Sequence, residues 1–219
     1  MGVDPGGAEP ASRAADGSAA RKAEHLRIAA RLDVLHETPA GLDAIRLRHR
    51  ALPERDLDEV DIRTSFLGRE LAAPLLISAM TGGARQSFDV NGRLMAAAAS
   101  VGAAWSWGSG RALLRDRDRL TTYVPDPQAP RPPLSIANLG ATHVRGRDGP
   151  AQAEQLVELL EADALFLHLN PLQEAIQPEG DTRFSGVLDA IGRVVGRIAP
   201  VPVGVKEVGF RTSEGRSSV

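Results

Sequence analysis

The chain has 219 residues, 26 Lys and Arg against 28 Asp and Glu, and no cysteine. A net charge of -2 gives no basic surface for nucleic acid, and the missing thiols exclude disulfides and thiolate metal sites, which fits a reducing cytoplasm. Its longest apolar runs fall well short of the roughly 20 residues a membrane helix needs, so no membrane partner is expected.

Residues 1–20 are rich in Gly, Ala and Pro and read as a disordered leader, with one domain expected over residues 21–219. From residue 21, Leu26, Ile28, Ala29, Leu32 and Leu35 recur at helical spacing behind a basic first turn of Arg21, Lys22 and His25. That turn is either a solvated helix end or a grip for a diphosphate. Between His49 and Leu71 the pattern becomes short β-like pieces with acidic turns, suited to a small hairpin or a cover over one end of a barrel.

After Pro74 a rhythm sets in. Apolar runs begin at Leu75, Ala103, Leu134, Ala164 and Val201, about 30 residues apart, the length of one strand-plus-helix unit. Between them lie helical patterns carried by Val90, Leu94, Ala97 and Val101, by Leu156, Leu159 and Leu160, and by Phe184, Val187, Leu188, Ile191, Val194, Val195 and Ile198. Alternation of this kind predicts a parallel α/β sheet with right-handed crossovers; in a (β/α)₈ barrel these would be about the first five units, and their strand ends would share one face.

Chemistry gathers where each predicted strand ends. The first leads into Met80-Thr81-Gly82-Gly83, a loop that is either a plain turn or a close approach to a flat or anionic ligand. The second leads into Gly108-Ser109-Gly110-Arg111, and the third into Asn138, which could cap a helix or meet the edge of a heterocycle. The fifth leads into Lys206, paired with Glu207 or facing the electron-rich end of a reduced flavin. Richest is the fourth, HLNPLQEAIQPEGD from His168 to Asp181, with an imidazole, the amides of Asn170 and Gln173, and the carboxylate of Glu174 read as lying in a loop. One carboxylate plus phosphate oxygens is a normal Mg²⁺ site.

Together RKAEH (21–25), ALPERDLDEVD (51–61), FLGRELAAPLLISAMTGGA (66–84), GSGR (108–111), ANLGA (137–141), ADALFLHLNPLQEAIQPEGD (162–181) and KEVGF (206–210) resemble the type 2 isopentenyl diphosphate isomerase family. The resemblance implies a flavin-dependent barrel that interconverts isopentenyl and dimethylallyl diphosphate with reduced FMN, NADPH and Mg²⁺. It assigns the diphosphate to Arg21, Lys22, His25, Ser109, Arg111 and His168, assisted by Asn170. FMN falls to Met80, Thr81, Asn138 and Lys206, and Mg²⁺ to Glu174. Gln173 lies beside the alkene, and Gln173 and His168 are the candidate catalytic residues. A glutamine amide is too weak an acid to protonate an alkene, so acid and base are expected from the reduced flavin.

The family is commonly tetrameric or larger, which implies a homo-oligomer if the barrel is complete. Five strands against eight, and a polar tail RTSEGRSSV after KEVGF, lead to the expectation of a C-terminally truncated member. Two other readings stand beside the isomerase: an FMN-dependent oxidoreductase of the hydroxy-acid oxidase type, and a non-catalytic remnant.

Overall fold

The computed structural model describes residues 24, 26–33, 41–124, 126–178 and 180–208. Arg21, Lys22 and His25 lie outside the described residues. The chain divides into two compact units, Met1–Ile62 and Arg63–Val219. In the first, residues 26–31 are helical, and Leu42–Ala44 and Leu57–Glu59 are single 3₁₀ turns. Leu47, Leu52 and Leu57 are exposed there. No strand forms among its described residues, so the β-like pattern expected from residue 49 is realised only in its last part, within the second unit.

That part is an antiparallel hairpin of β1 (Thr64–Phe66) and β2 (Arg69–Leu71). Leu67 and Gly68 turn it, both at positive φ (49° and 76°). The main sheet is parallel and strictly sequential: β3 (Leu76–Ile77), β4 (Ala104–Ser106), β5 (Ser135–Gly140), β6 (Ala164–Leu169) and β7 (Val203–Glu207). The helices are α1 (Ser87–Val101), α2 (Arg111–Arg115), α3 (Leu120–Tyr123), α4 (Gly149–Leu160), α5 (Pro171–Ile176) and α6 (Val187–Ile198).

The register sorts every strand residue onto one of two faces, because successive side chains alternate. Ile77, Trp105, Ala137, Leu139, Leu165, Leu167 and Val203 share the face that packs against the helices in the larger apolar core. Trp105 and Trp107 meet edge to face there, with ring centroids 6.4 Å apart. The opposite face begins apolar, where Ala104, Leu134, Ile136 and Ala164 pack with Leu71 of the hairpin, joined by Leu67 and Phe166. The hairpin thus covers the sheet at the ends where its strands start. Arg69 fastens it by an ion pair to Asp163 (2.5 Å), whose other oxygen accepts from Ser135 N (2.8 Å).

Two details differ from the sequence reading. In α1 the buried positions are Ser87, Asn91, Met95 and Ala98, while Ala97 and Val101 face out, so the inward stripe is turned by one residue from the apolar pattern. In α6 Val187, Ala190, Val194 and Ile198 are buried, while Leu188 and Val195 are exposed. In α1 the shift brings the polar Ser87 and Asn91 inward, while in α6 the apolar stripe holds and is narrower than the pattern, with Ala190 taking a buried place.

Helix α1 ends on Gly102 at φ 64°, whose N–H bonds back to the Ala98 and Ala99 carbonyls. A Cβ there would stand 2.7 Å from the Ala72 Cβ. Gly102→Ala is therefore expected to cost about 1–2 kcal/mol, read as a lower urea midpoint at unchanged m-value.

Candidate active site

The strands extend further than the apolar runs. Asn138, His168, Lys206 and Glu207 lie within β5, β6 and β7 instead of following them, because the ladder continues through the pairs Gly140–His168 and His168–Lys206. Equal parity places Asn138, Gly140, Phe166, His168, Gly204 and Lys206 on the inner face, toward the carboxyl ends of the strands. The inner face therefore changes along its length from an apolar floor under the hairpin to a polar rim.

At the rim His168 Nδ1 lies 2.9 Å from Asn138 Oδ1, and Asn138 is buried. With this amide orientation the carbonyl oxygen only accepts, so Nδ1 carries the proton and Nε2 keeps its lone pair. A Cβ on Gly140 would come within 3.3 Å of that Nε2. Burial, reinforced by the Lys206 ammonium and opposed by Glu174, pushes the His168 pKa down to about 4. Lys206 is half-buried, and burial lowers its pKa, with Glu207 acting in the opposite sense. Below them the Phe166 ring lies against β7, where a Cβ on Gly204 would be 2.6 Å from the ring.

The segment after β6 is a helix, not the loop read from the sequence. Pro171 occupies its first turn, where a missing N–H costs nothing, and Asn170 stands at the N-cap position. The buried Asn170 amide donates to Glu174 Oε1 (2.8 Å) and to Gln173 Oε1 (3.3 Å), and Asp181 N donates to Glu174 Oε2 (2.6 Å). Glu174 is thereby held at both oxygens. Among the described residues no group of three or more His, Asp or Glu side chains is gathered around a metal position. A hard cation at Glu174 would need most of its oxygens from elsewhere, as phosphate and water provide.

The loops beyond β3 and β4 are tied to this rim through the backbone. Gly108 N donates to Thr81 O (2.8 Å), Gly110 N to Asn138 O (2.7 Å) and Ala141 N to His168 O (3.0 Å). Both glycines of the Gly-Ser-Gly stretch are packing requirements, since a Cβ would meet the Thr81 carbonyl at position 108 and Leu156 at position 110. Thr81 is buried, its hydroxyl donates to Asn91 Oδ1 and its carbonyl accepts from Gly108 N. Ser109 is half-buried, Arg111 is exposed at the start of α2, and the Met80 side chain is 64% exposed. Sequence reasoning missed Asn91, Arg119, Thr122 and Tyr123, which hold these loops. Asn91 was detectable as a polar residue four before Met95 on the stripe that turns inward.

The family model for FMN-dependent dehydrogenases matches residues 25–110. Isopentenyl-diphosphate delta-isomerases of Synechococcus sp., Rickettsia prowazekii and Cronobacter sakazakii are 48%, 41% and 46% identical over 86%, 89% and 86% of the chain. The chain belongs to the isopentenyl-diphosphate delta-isomerase family. It spans about half the length of the curated relatives it matches, 54%, 56% and 54% of those three. Within this enzyme family the flavin model and the isomerase names describe one scaffold, which agrees with the flavin-dependent type read from the motifs.

The residues at the rim fit a flavin. An anionic reduced flavin would find a hydrogen-bonding amide in Asn138 and an opposite charge in the half-buried Lys206, which would in turn gain an anionic partner.

His168 supplies a measurable consequence. Its folded pKa lies below the ordinary 6.5, so between pH 6.5 and about 4 the unfolded chain binds more protons than the folded one. The His168 contribution to stability is full above that window and is lost as pH falls through it. An NMR titration should give His168 a midpoint near 4. His168→Gln should flatten the corresponding rise of unfolding free energy with pH.

Proposed function

We propose that this chain carries the flavin and alkene-handling part of a (β/α)₈ isomerase that interconverts isopentenyl and dimethylallyl diphosphate, using FMN reduced by NADPH together with Mg²⁺. What carries the reading is the convergence of Asn138, His168 and Lys206 on one rim, beside the Asn170–Gln173–Glu174 cluster, in a chain whose curated relatives are named for this reaction.

Lys206 and Asn138 receive the flavin, the ammonium against its negative charge and the amide at its edge. His168 takes the diphosphate together with Ser109 and Arg111. A neutral imidazole suits this role, because the arriving anion itself favours protonation of Nε2 and turns an acceptor into a charged donor. Asn170 aligns Gln173 and Glu174 at once. Gln173 orients the alkene by its amide, which is too weak an acid to protonate carbon. Glu174 holds Mg²⁺ against the diphosphate, its carboxylate kept from turning by the Asp181 N–H. When bound, the reduced flavin supplies the acid and base that move one proton onto carbon and another off. The protein contributes placement and exclusion of water.

The hydroxy-acid oxidase reading shares this scaffold, and the FMN-dependent dehydrogenase match is compatible with it. The names of the relatives favour isomerisation. Supplied with FMN, NADPH, Mg²⁺ and isopentenyl diphosphate, the protein is expected to form dimethylallyl diphosphate without net flavin oxidation. Bound FMN with no isomerisation would overturn the proposal, and net oxidation of an organic 2-hydroxy acid would replace it. Gln173→Ala should lower kcat by a factor on the order of 10². Glu174→Ala should raise the Mg²⁺ concentration for half-activation by about 10–100-fold, with kcat at saturating Mg²⁺ less affected.

A further inference from the structure

Behind the Met80–Gly83 loop lies a polar network that the chemistry above does not use. Asn91 is fully buried in the second turn of α1, where an amide needs hydrogen-bond partners to offset its lost hydration. Both ends of that amide are bonded: Oδ1 accepts from the Thr81 hydroxyl, and Nδ2 donates to Thr122 O (2.7 Å). The Thr122 hydroxyl accepts from Gly83 N (2.9 Å) and donates to Arg119 O (2.7 Å). Arg119 Nη1 donates to Gly83 O (2.6 Å) while its Nε is anchored on Asp116 (2.9 Å). Gly83 is thus held at both its N–H and its carbonyl from one short segment.

Tyr123 completes the arrangement. Its ring is fully buried against Gly82, where φ is 152° and a Cβ would come within 2.3 Å of the ring. Its hydroxyl donates to Ser109 O (2.7 Å), and its own carbonyl accepts from Trp107 Nε1 (2.9 Å). A single stretch, Arg119 to Tyr123, therefore grips the loop after β3 and the loop after β4. Three of its bonds end on loop backbone, at Gly83 N, Gly83 O and Ser109 O, and Asn91 of α1 braces it from behind through Thr122 O. Such placement fixes the shape of the strand-end loops more than the packing of the core.

We propose that Asn91, Arg119, Thr122 and Tyr123 are positioning residues, a clamp that locks the Thr81–Gly83 and Ser109 loops in the shape that receives the flavin and the diphosphate. The assignment rests on the flavin reading above. In it the Thr81 hydroxyl belongs to the clamp and its carbonyl to Gly108 N, so Thr81 shapes the loop from within.

The test is a pair of variants at half-buried Thr122. Thr122→Ser keeps a hydroxyl able to make both bonds, and Thr122→Val keeps the shape without them. Two readouts are taken on the full chain: hydrogen exchange of the Gly83 amide without ligand, and FMN affinity by quenching of flavin fluorescence. Thr122→Val is expected to speed Gly83 exchange and weaken FMN binding by about tenfold each, at an unchanged exchange rate for the β5 and β6 amides. Thr122→Ser should match the parent in both. If Val changes neither quantity, or Ser fails as Val does, the clamp is refuted. A parent chain that takes up no FMN overturns the flavin reading and the ligand-positioning part of this proposal with it. Gly83 exchange then decides whether the loop is clamped.

Discussion

The constraint from which the rest follows is the two-sidedness of a parallel sheet whose outer face is covered by helices. Trp105, Leu139, Leu165 and Leu167 fill that face and are almost fully buried, which removes it as a place for ionisable groups. The hairpin closes the inner face where the strands begin, through Leu67 and Leu71. What remains for polar side chains is the inner face at the carboxyl ends, and there Asn138, His168 and Lys206 are found. Their proximity depends on register. Sliding one strand by one residue would send its rim residue to the helical side.

Within the rim, polar groups are arranged so that few protons are free to wander. Asn138 fixes which imidazole nitrogen of His168 carries hydrogen, and Lys206 beside it discourages a second proton. Asn170 plays the same part for the neighbouring cluster, because one buried amide sets the directions of Gln173 and Glu174 together. Side chains oriented in this way suit a reaction in which the protein holds groups in place while proton donor and acceptor come from a bound ring. Paired carboxylates of the kind that drive acid–base catalysis alone are absent from the rim among the described residues, where Glu174 is committed to Asn170 and to Asp181 N. An assembly built for orientation also needs rigid loops, which gives the buried Asn91 network a reason to exist.

Membership in the isopentenyl-diphosphate delta-isomerase family stands beside the match of an FMN-dependent dehydrogenase model over residues 25–110. The fold by itself would not decide between isomerisation and oxidation, since one scaffold serves many chemistries. The names of the relatives are what favour isomerisation, and the Asn170–Gln173–Glu174 cluster beside His168 is where variants test it.

The sequence by itself determined the parallel class of the sheet and the neighbourhood of its chemistry. Apolar runs about 30 residues apart with helical patterns between them call for parallel strands joined by crossovers, and the polar residues of HLNPLQE fall where the fourth of them runs out. The same alternation serves doubly wound sheets, so the sequential order from β3 to β7 was decided by the fold. Only the tertiary structure decided where the strands end, because hydrogen bonding to a neighbour, not apolar character, carries β6 through His168 and β7 through Glu207. It likewise decided that α5 is a helix, that α1 turns Asn91 inward, and that Tyr123 sits against Gly82. The last two depend on contacts between residues distant in the chain, such as Thr81 with Asn91 and Gly82 with Tyr123. Periodicity reports how one segment meets water on average; it carries no record of which distant polar group will be waiting on the other side.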